Sequence, residues 1–179
     1  MQLISHPWSA ARTWLLCIAL LGVLVPHLAH ALHSPCWIYL PAHFAPLIAG
    51  LGLGWRAGGL VGLLVVGSDA MGGHLMPAQL LPIACELLTY GVVAGLLSPR
   101  SRNWASTLYY LVAAQLAGRL AYLLPALILG KPLLRSLRGL FVFPWPRLLL
   151  QVVLIPPLVL LIRRQVHRLP SVIAPSAAC

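Results

Sequence analysis

Residues 78–97 read AQLLPIACELLTYGVVAGLL, and this stretch decides the fold. It is apolar from end to end apart from a few polar side chains, and its only carboxylate is Glu86. A helix needs about 20 mainly apolar residues to cross a hydrocarbon core roughly 30 Å thick, and this stretch has that length. Its apolar positions run on without alternation, which is not the pattern of a transmembrane barrel strand. The whole chain shares the bias. Of 179 residues, 60% are hydrophobic and 8% are charged, and the mean hydropathy is +0.92. A soluble domain is far less apolar than this. Lipid is therefore the expected solvent.

Working outward from 78–97, further spans are expected over 12–31, 41–54, 57–67, 104–129 and 146–162. The expectation is an all-α membrane protein, a bundle of about six transmembrane helices forming a single integral membrane domain over 1–179. The spans at 41–54 and 57–67 are short, so tilt or re-entry is open there. Pro26, Pro46, Pro82, Pro125, Pro156 and Pro157 fall in or beside spans and predict kinks. The first span has a rival reading. Arg12, TWLLCIALLGVLVP and the AHA at 29–31 also fit a signal peptide with its cleavage site. Cys17, Cys36, Cys85 and Cys179 form no CxxC pair, and a disulfide framework is not expected.

Charge bias sets the expected orientation. The net charge is +10, but the cations are spread over span ends, so topology and anionic lipid account for them better than nucleic acid does. Arg12, Arg56, Arg100, Arg102, Arg163, Arg164 and Arg168 fall on one side of a six-span arrangement. That side is expected to be the cytoplasm, which places both termini inside. Lys131, Arg135, Arg138 and Arg147 fall on the other side and break the pattern.

Gly50, Gly54, Gly58 and Gly62 recur every fourth residue, and Gly91 and Gly95 repeat the spacing. Small residues four apart let helices approach closely in lipid, within the chain or against a partner. WRAG at 55–58 interrupts the run, so Gly54 and Gly58 are expected on different helices.

Glu86 is one of only two acidic residues. From the outer end of its span it lies roughly 12 Å deep at 1.5 Å per residue. A charge near mid-membrane costs about 2.5–3.5 kcal/mol on insertion scales and turns toward an interior partner or cavity. Tyr90 follows four residues later on the same face, and Gln79 lies seven residues earlier. On the next span Gln115, Arg119 and Tyr122 make a polar stripe at matching depth. Gln151 opens the last span. Two readings stand side by side: a structural Glu86–Arg119 ion pair, or a pocket that binds a polar ligand. His27, His30, His33 and Cys36 recur every third residue, a spacing that drifts around a helix, so no metal site is expected. His43 and His74 lie near the outer mouth. There is no GxSxG, HExxH or P-loop sequence. The chain is not expected to be an enzyme or to carry a cofactor, and ATP-driven work would need a partner subunit.

PAHFAPLIAGLGLGWRAGGLVGLL at 41–64 and HLMPAQLLPIACELLTYGVVAGLL at 74–97 resemble the S components of energy-coupling factor (ECF) transporters. His43, Pro46, Leu47, the glycines named above, Met76, Pro77, Pro82, Glu86 and Tyr90 carry the resemblance. LLLQVVLIPPLVLLI at 148–162 is similar to the last helix of such proteins, with Gln151, Pro156 and Pro157. The resemblance implies a six-helix subunit of a prokaryotic cell membrane that captures a small water-soluble vitamin or related micronutrient on the outer side. It implies an ECF transmembrane coupling protein and two ATPase subunits as partners. It also implies a pocket built from the last three helices, which agrees with Glu86, Arg119 and Gln151. Tyr90, Gln115, Tyr122, Gln79 and His43 would add polar contacts, and Trp145 would stack on a ring. Two features depart from the family. Ala11 and Ala19 are followed four residues later by Leu15 and Val23 rather than by small residues, and FPWPR stands where relatives have Pro-Gly. Two other classes stay open: a non-transporting membrane assembly or scaffold subunit, and a solitary transporter that works without ATPases.

Overall fold

The computed structural model describes residues 7–32, 41–73, 75–100, 103–134 and 145–167. Among these residues the chain is all-helical. The helices are α1 (Pro7–Ala31), α2 (Phe44–Leu53), α3 (Trp55–Met71), α4 (Pro77–Leu97), α5 (Trp104–Ile128) and α6 (Trp145–His167), with 3-10 turns at Pro41–His43 and Ser98–Arg100. Four stretches are long and apolar enough to cross a membrane: Ala11–Ala31, Pro77–Leu97, Trp104–Ile128 and Leu148–Val166. Leu16, Leu20, Leu24, Leu120 and Leu124 stand exposed on α1 and α5, where a lipid-facing belt carries such residues at no cost.

Local sequence explains the ends. Pro77 opens α4 at the first helical position, where its missing N–H is not needed. Asn103 caps α5. Its side chain accepts from the Ser106 amide at 2.8 Å, and its own amide donates to Ser106 Oγ at 3.1 Å. At the far end of α5, Gly130 takes φ +74, and the Gly130 and Lys131 amides return to the carbonyls of Leu127 and Ala126.

The break between α2 and α3 is Gly54, not the WRAG segment, since α3 already begins at Trp55. Gly54 takes φ +103 and ψ 172, a backbone open almost only to glycine. The chain reverses there, and Gly50 and Gly58 come to lie against each other. A methyl on Gly58 would stand 2.7 Å from Gly50 Cα. Gly58 and Gly91 meet backbone to backbone, and a methyl on Gly62 would lie 2.7 Å from the Leu87 carbonyl oxygen. Gly95 faces Trp55 in the same way. The three contacts run antiparallel, so the expected glycine face is an internal α3–α4 seam that α2 joins through Gly50. Gly54 sits at the turn, where a methyl of its own would meet nothing within 4 Å, while its carbonyl carbon lies against Gly95.

α2 lies at the centre. Of its ten residues, those from Ala45 to Leu51 are all buried, and it packs on each of the other five helices. Ten residues rise only about 15 Å, half of a hydrocarbon core. The expected second span is thus a half-length helix entered through the 3-10 turn that ends at His43.

The helices alternate in direction. The start of α1, the α2–α3 turn, the α4–α5 connection and the end of α6 gather at one end around a cavity of about 1080 Å³ lined by Ala11, Gly54, Ser98, Asn103 and Arg163, among others. Trp14 Nε1 donates to Gln165 Oε1 at 3.0 Å there, tying α1 to α6. Arg12, Arg56 and Arg164 are exposed and lie in the segments gathered at that end. The expected last span, 146–162, extends in the structure through Arg163 and Arg164 to His167.

Candidate functional site

Most of the buried polar residues gather on α4, α5 and α6 and at the start of α2, while Asp69 is buried on α3. Glu86 and Tyr90 share one face of α4 because they are one turn apart. Pro82 precedes them, inside the same helix. Glu86 is 3% exposed and Arg119 is 5% exposed. The Tyr90 hydroxyl donates to Glu86 Oε1 at 2.6 Å. Arg119 Nη1 stands 3.3 Å from the same oxygen. His43 Nε2 lies 3.9 Å from Glu86 Oε2, and its ring meets the edge of the Tyr90 ring at a centroid distance of 6.0 Å. One carboxylate therefore gathers three helices: α4 itself, α5 through Arg119 and α2 through His43.

Gln115 lies one turn before Arg119 on α5. Its Nε2 donates to Gln151 Oε1 on α6 at 2.8 Å, and both glutamines are buried. Tyr122 follows Arg119 by three residues and is half-buried. Lys131 Nζ lies 5.8 Å from the centre of its ring, so a cation reaches back over the C-terminal end of the stripe.

Two donors in this cluster are buried without an acceptor: Arg119 Nε and Gln151 Nε2. An unmet buried donor is costly in a protein interior, and more so where lipid excludes water. Glu86 Oε1 by contrast takes both Tyr90 and Arg119, and Oε2 has the His43 ring at 3.9 Å. A metal cation bound by Glu86 and His43 would face the Arg119 guanidinium across the same carboxylate, so the geometry suits a hydrogen-bonding ligand better than a metal.

Most of the site residues expected from sequence come together: Glu86, Tyr90, Arg119 and His43 in one group, and Gln115 with Gln151 in an adjoining pair. Tyr122 stands at the edge. Gln79 does not join them, since it is exposed on the first turn of α4. The seven-residue spacing was right for the face, but at a helix end a glutamine reaches the outside without penalty. The side chains of Trp145 and Arg147 lie outside the described residues, as do His33, Cys36, His74, Arg135 and Arg138. His27 Nδ1 stays within α1, 2.8 Å from the Val23 carbonyl oxygen.

Gly118 belongs to the site and was not expected there. A methyl on it would run into the Tyr90 ring and stand 3.0 Å from the Glu86 carbonyl oxygen. Its position between Gln115 and Arg119 was the signal. An apolar groove of about 450 Å³ between α1, α2 and α6 is lined by Trp14, Ile18, Phe44, Ile48 and Leu154, among others. Neither it nor the cavity at the basic end is lined by Glu86, Tyr90, Arg119 or Gln151. Comparison with known protein families, with curated proteins and with solved structures returns no match to this chain.

Proposed function

We propose that the chain is the substrate-capturing S component of an ECF-type importer, binding a small water-soluble vitamin or related micronutrient. The observation that carries the reading is the buried cluster of Glu86, Tyr90, Arg119 and His43 with two donors left unmet beside it. A structural pair needs no surplus of buried donors, whereas a ligand site needs a few placed polar groups among apolar walls. The half-length helix α2 adds support. Irregular backbone is tolerated at membrane depth only where protein or a cavity surrounds it, and broken helices of this kind are frequent at transporter binding sites.

In this reading the basic end of the bundle faces the cytoplasm, with both termini there, and the chain crosses a prokaryotic cell membrane about six times. Lys131 then stands on the outer side. A coupling protein and two ATPases supply the energy. The resemblance of 41–97 and 144–162 to S components is the source of these partner assignments.

A second reading has its own observation. Glu86 already has Tyr90, Arg119 and His43 around it, which is how a purely structural node in a membrane scaffold subunit looks. Purification in mild detergent separates the two. The importer reading expects a small molecule by mass spectrometry of the purified protein and ATPase subunits in pull-downs. Protein that carries no small molecule, and whose melting temperature no vitamin shifts, would leave the scaffold reading standing. Uptake in cells without ATPases would instead indicate a solitary transporter.

A further inference from the structure

The hydrogen-bonding capacity of the cluster is lopsided. Glu86 is its only carboxylate: Oε1 already takes Tyr90 and Arg119, and Oε2 faces His43 at 3.9 Å, beyond hydrogen-bond reach. What remains unspent is donor capacity: Arg119 Nε and Gln151 Nε2, each buried and without an acceptor. Arginine has no acceptor to offer, and the Gln151 carbonyl is already taken by Gln115. A cationic ligand would need a carboxylate, and the only one in the cluster already neutralises Arg119; the other acidic residue, Asp69, is buried on α3. A ligand with acceptors meets the opposite situation.

We infer that the ligand of this site carries a carboxylate, held by the Nε of Arg119 and the amide nitrogen of Gln151. This rests on reading the cluster as a ligand site. A carboxylate offers two oxygens to two donors, and hydrogen bonds to ionised groups are roughly twice as strong as neutral ones. Its charge finds compensation nearby. Lys131 covers Tyr122, one turn beyond Arg119, and the chain carries a net +10 with only two acidic residues. Such a field draws an anion toward the mouth. A neutral carbonyl could fill one donor but would use neither the charge nor the pairing.

The test uses the full chain in lipid nanodiscs and matched pairs of probes. Pantothenate is set against pantothenol, nicotinate against nicotinamide, and the cation thiamine completes the panel. Melting temperature and calorimetric titration are read for each. At least one carboxylate should bind at least tenfold more tightly than its neutral partner, and thiamine should not bind. Arg119→Lys keeps a cation against Glu86 and removes Nε. Gln151→Glu keeps an oxygen for Gln115 and replaces the donor. Each should weaken the carboxylate about tenfold or more, the scale of one charge-assisted hydrogen bond. The melting temperature without ligand reports whether each variant folds, and either variant alone suffices. Preferential binding of a neutral or cationic probe, or a carboxylate affinity untouched in a folded variant, overturns this inference and leaves the binding reading intact. If no probe binds at millimolar concentration, both fall.

Discussion

Arg163 on α6 donates to the carbonyl oxygen of Leu51 on α2 through Nε at 3.0 Å and Nη2 at 2.6 Å, across 112 residues of sequence. The same Nη2 reaches the carbonyl and hydroxyl oxygens of Ser98, each at 2.6 Å. Ser98 Oγ in turn donates to Leu51 O at 2.9 Å. The last carbonyls of a helix have no partner within it, and a cation near a helix C-terminus is favoured by the dipole. One guanidinium thus closes the ends of α2 and α4 and pins α6 to both.

Arg163→Ala should therefore destabilise the bundle by about 1.5–3 kcal/mol, the range for hydrogen bonds to a charged group. Arg163→Lys should recover less than half, because an ammonium lacks the planar fork that reaches several acceptors at once. Thermal unfolding in nanodiscs measures both. A wild-type melting temperature for Arg163→Ala would show that the clamp holds nothing.

The glycine seam makes a contrast within α3. A methyl on Gly58 would meet the Gly91 carbonyl, whereas a methyl on Gly67 would meet nothing within 4 Å. Gly58→Ala should cost at least the 1–3 kcal/mol of ordinary overpacking, since backbone rather than a side chain must move. Gly67→Ala should be neutral or stabilise by up to about 1 kcal/mol through helix propensity. Yield and melting temperature of the two variants decide it. Equal behaviour would mean that α3 and α4 do not pack as closely as this.

These two features differ in how far the sequence revealed them. The glycine seam was visible because a spacing of four places residues on one helix face whatever the fold. The Glu86–Tyr90 pair was visible for the same reason, and Arg119 because a cation in the middle of an apolar span has few places to turn. The Arg163 clamp was not visible. Arg163 read as part of the basic flank after the last span, and its acceptors are backbone oxygens, which every residue has. His43 was expected at the outer mouth and among the polar contacts of the pocket, but not beside Glu86 itself, because the half-length of α2 depends on a reversal at Gly54 that composition alone did not fix. Gln79 failed from the opposite cause, being at a helix end where its polarity carries no information.

Glu86 and Arg119 should show the thermodynamics of a buried pair. Glu86→Gln leaves the Arg119 charge unpaired in the interior and should cost about 3–5 kcal/mol. The double variant Glu86→Gln with Arg119→Gln removes both charges and should recover most of that loss, giving a large coupling energy in the cycle. Melting temperatures of the three variants supply the numbers. Additive losses would mean that the two charges do not interact.

The proposed orientation is tested with a membrane-impermeant maleimide on intact cells. The four native cysteines are first replaced. Lys131→Cys should then label from outside, and Arg56→Cys should label only after the membrane is permeabilised. The reverse pattern would invert the bundle and place the Glu86 cluster nearer the cytoplasm.

Gly118 gives the sharpest separation of packing from binding. Its Cα surface supports the Tyr90 ring, and that ring carries the hydroxyl that donates to Glu86. Gly118→Ala must push the ring aside, which breaks the 2.6 Å bond and leaves Glu86 with Arg119 and His43. Helix propensity favours the added methyl by up to about 1 kcal/mol, so the net loss of stability should stay within the roughly 1–3 kcal/mol of overpacking. Ligand affinity should fall by more than stability alone explains, because Tyr90 and Arg119 hold Glu86 from two sides and the loss of one turns the carboxylate toward the other. Tyr90→Phe is the control: it keeps the ring over Gly118 and removes only the hydroxyl. If Gly118→Ala weakens a bound carboxylate and Tyr90→Phe does so to a similar degree, the effect runs through the Tyr90–Glu86 hydrogen bond. If Gly118→Ala is harmless to both stability and affinity, the close approach of α4 and α5 at this point is wrong.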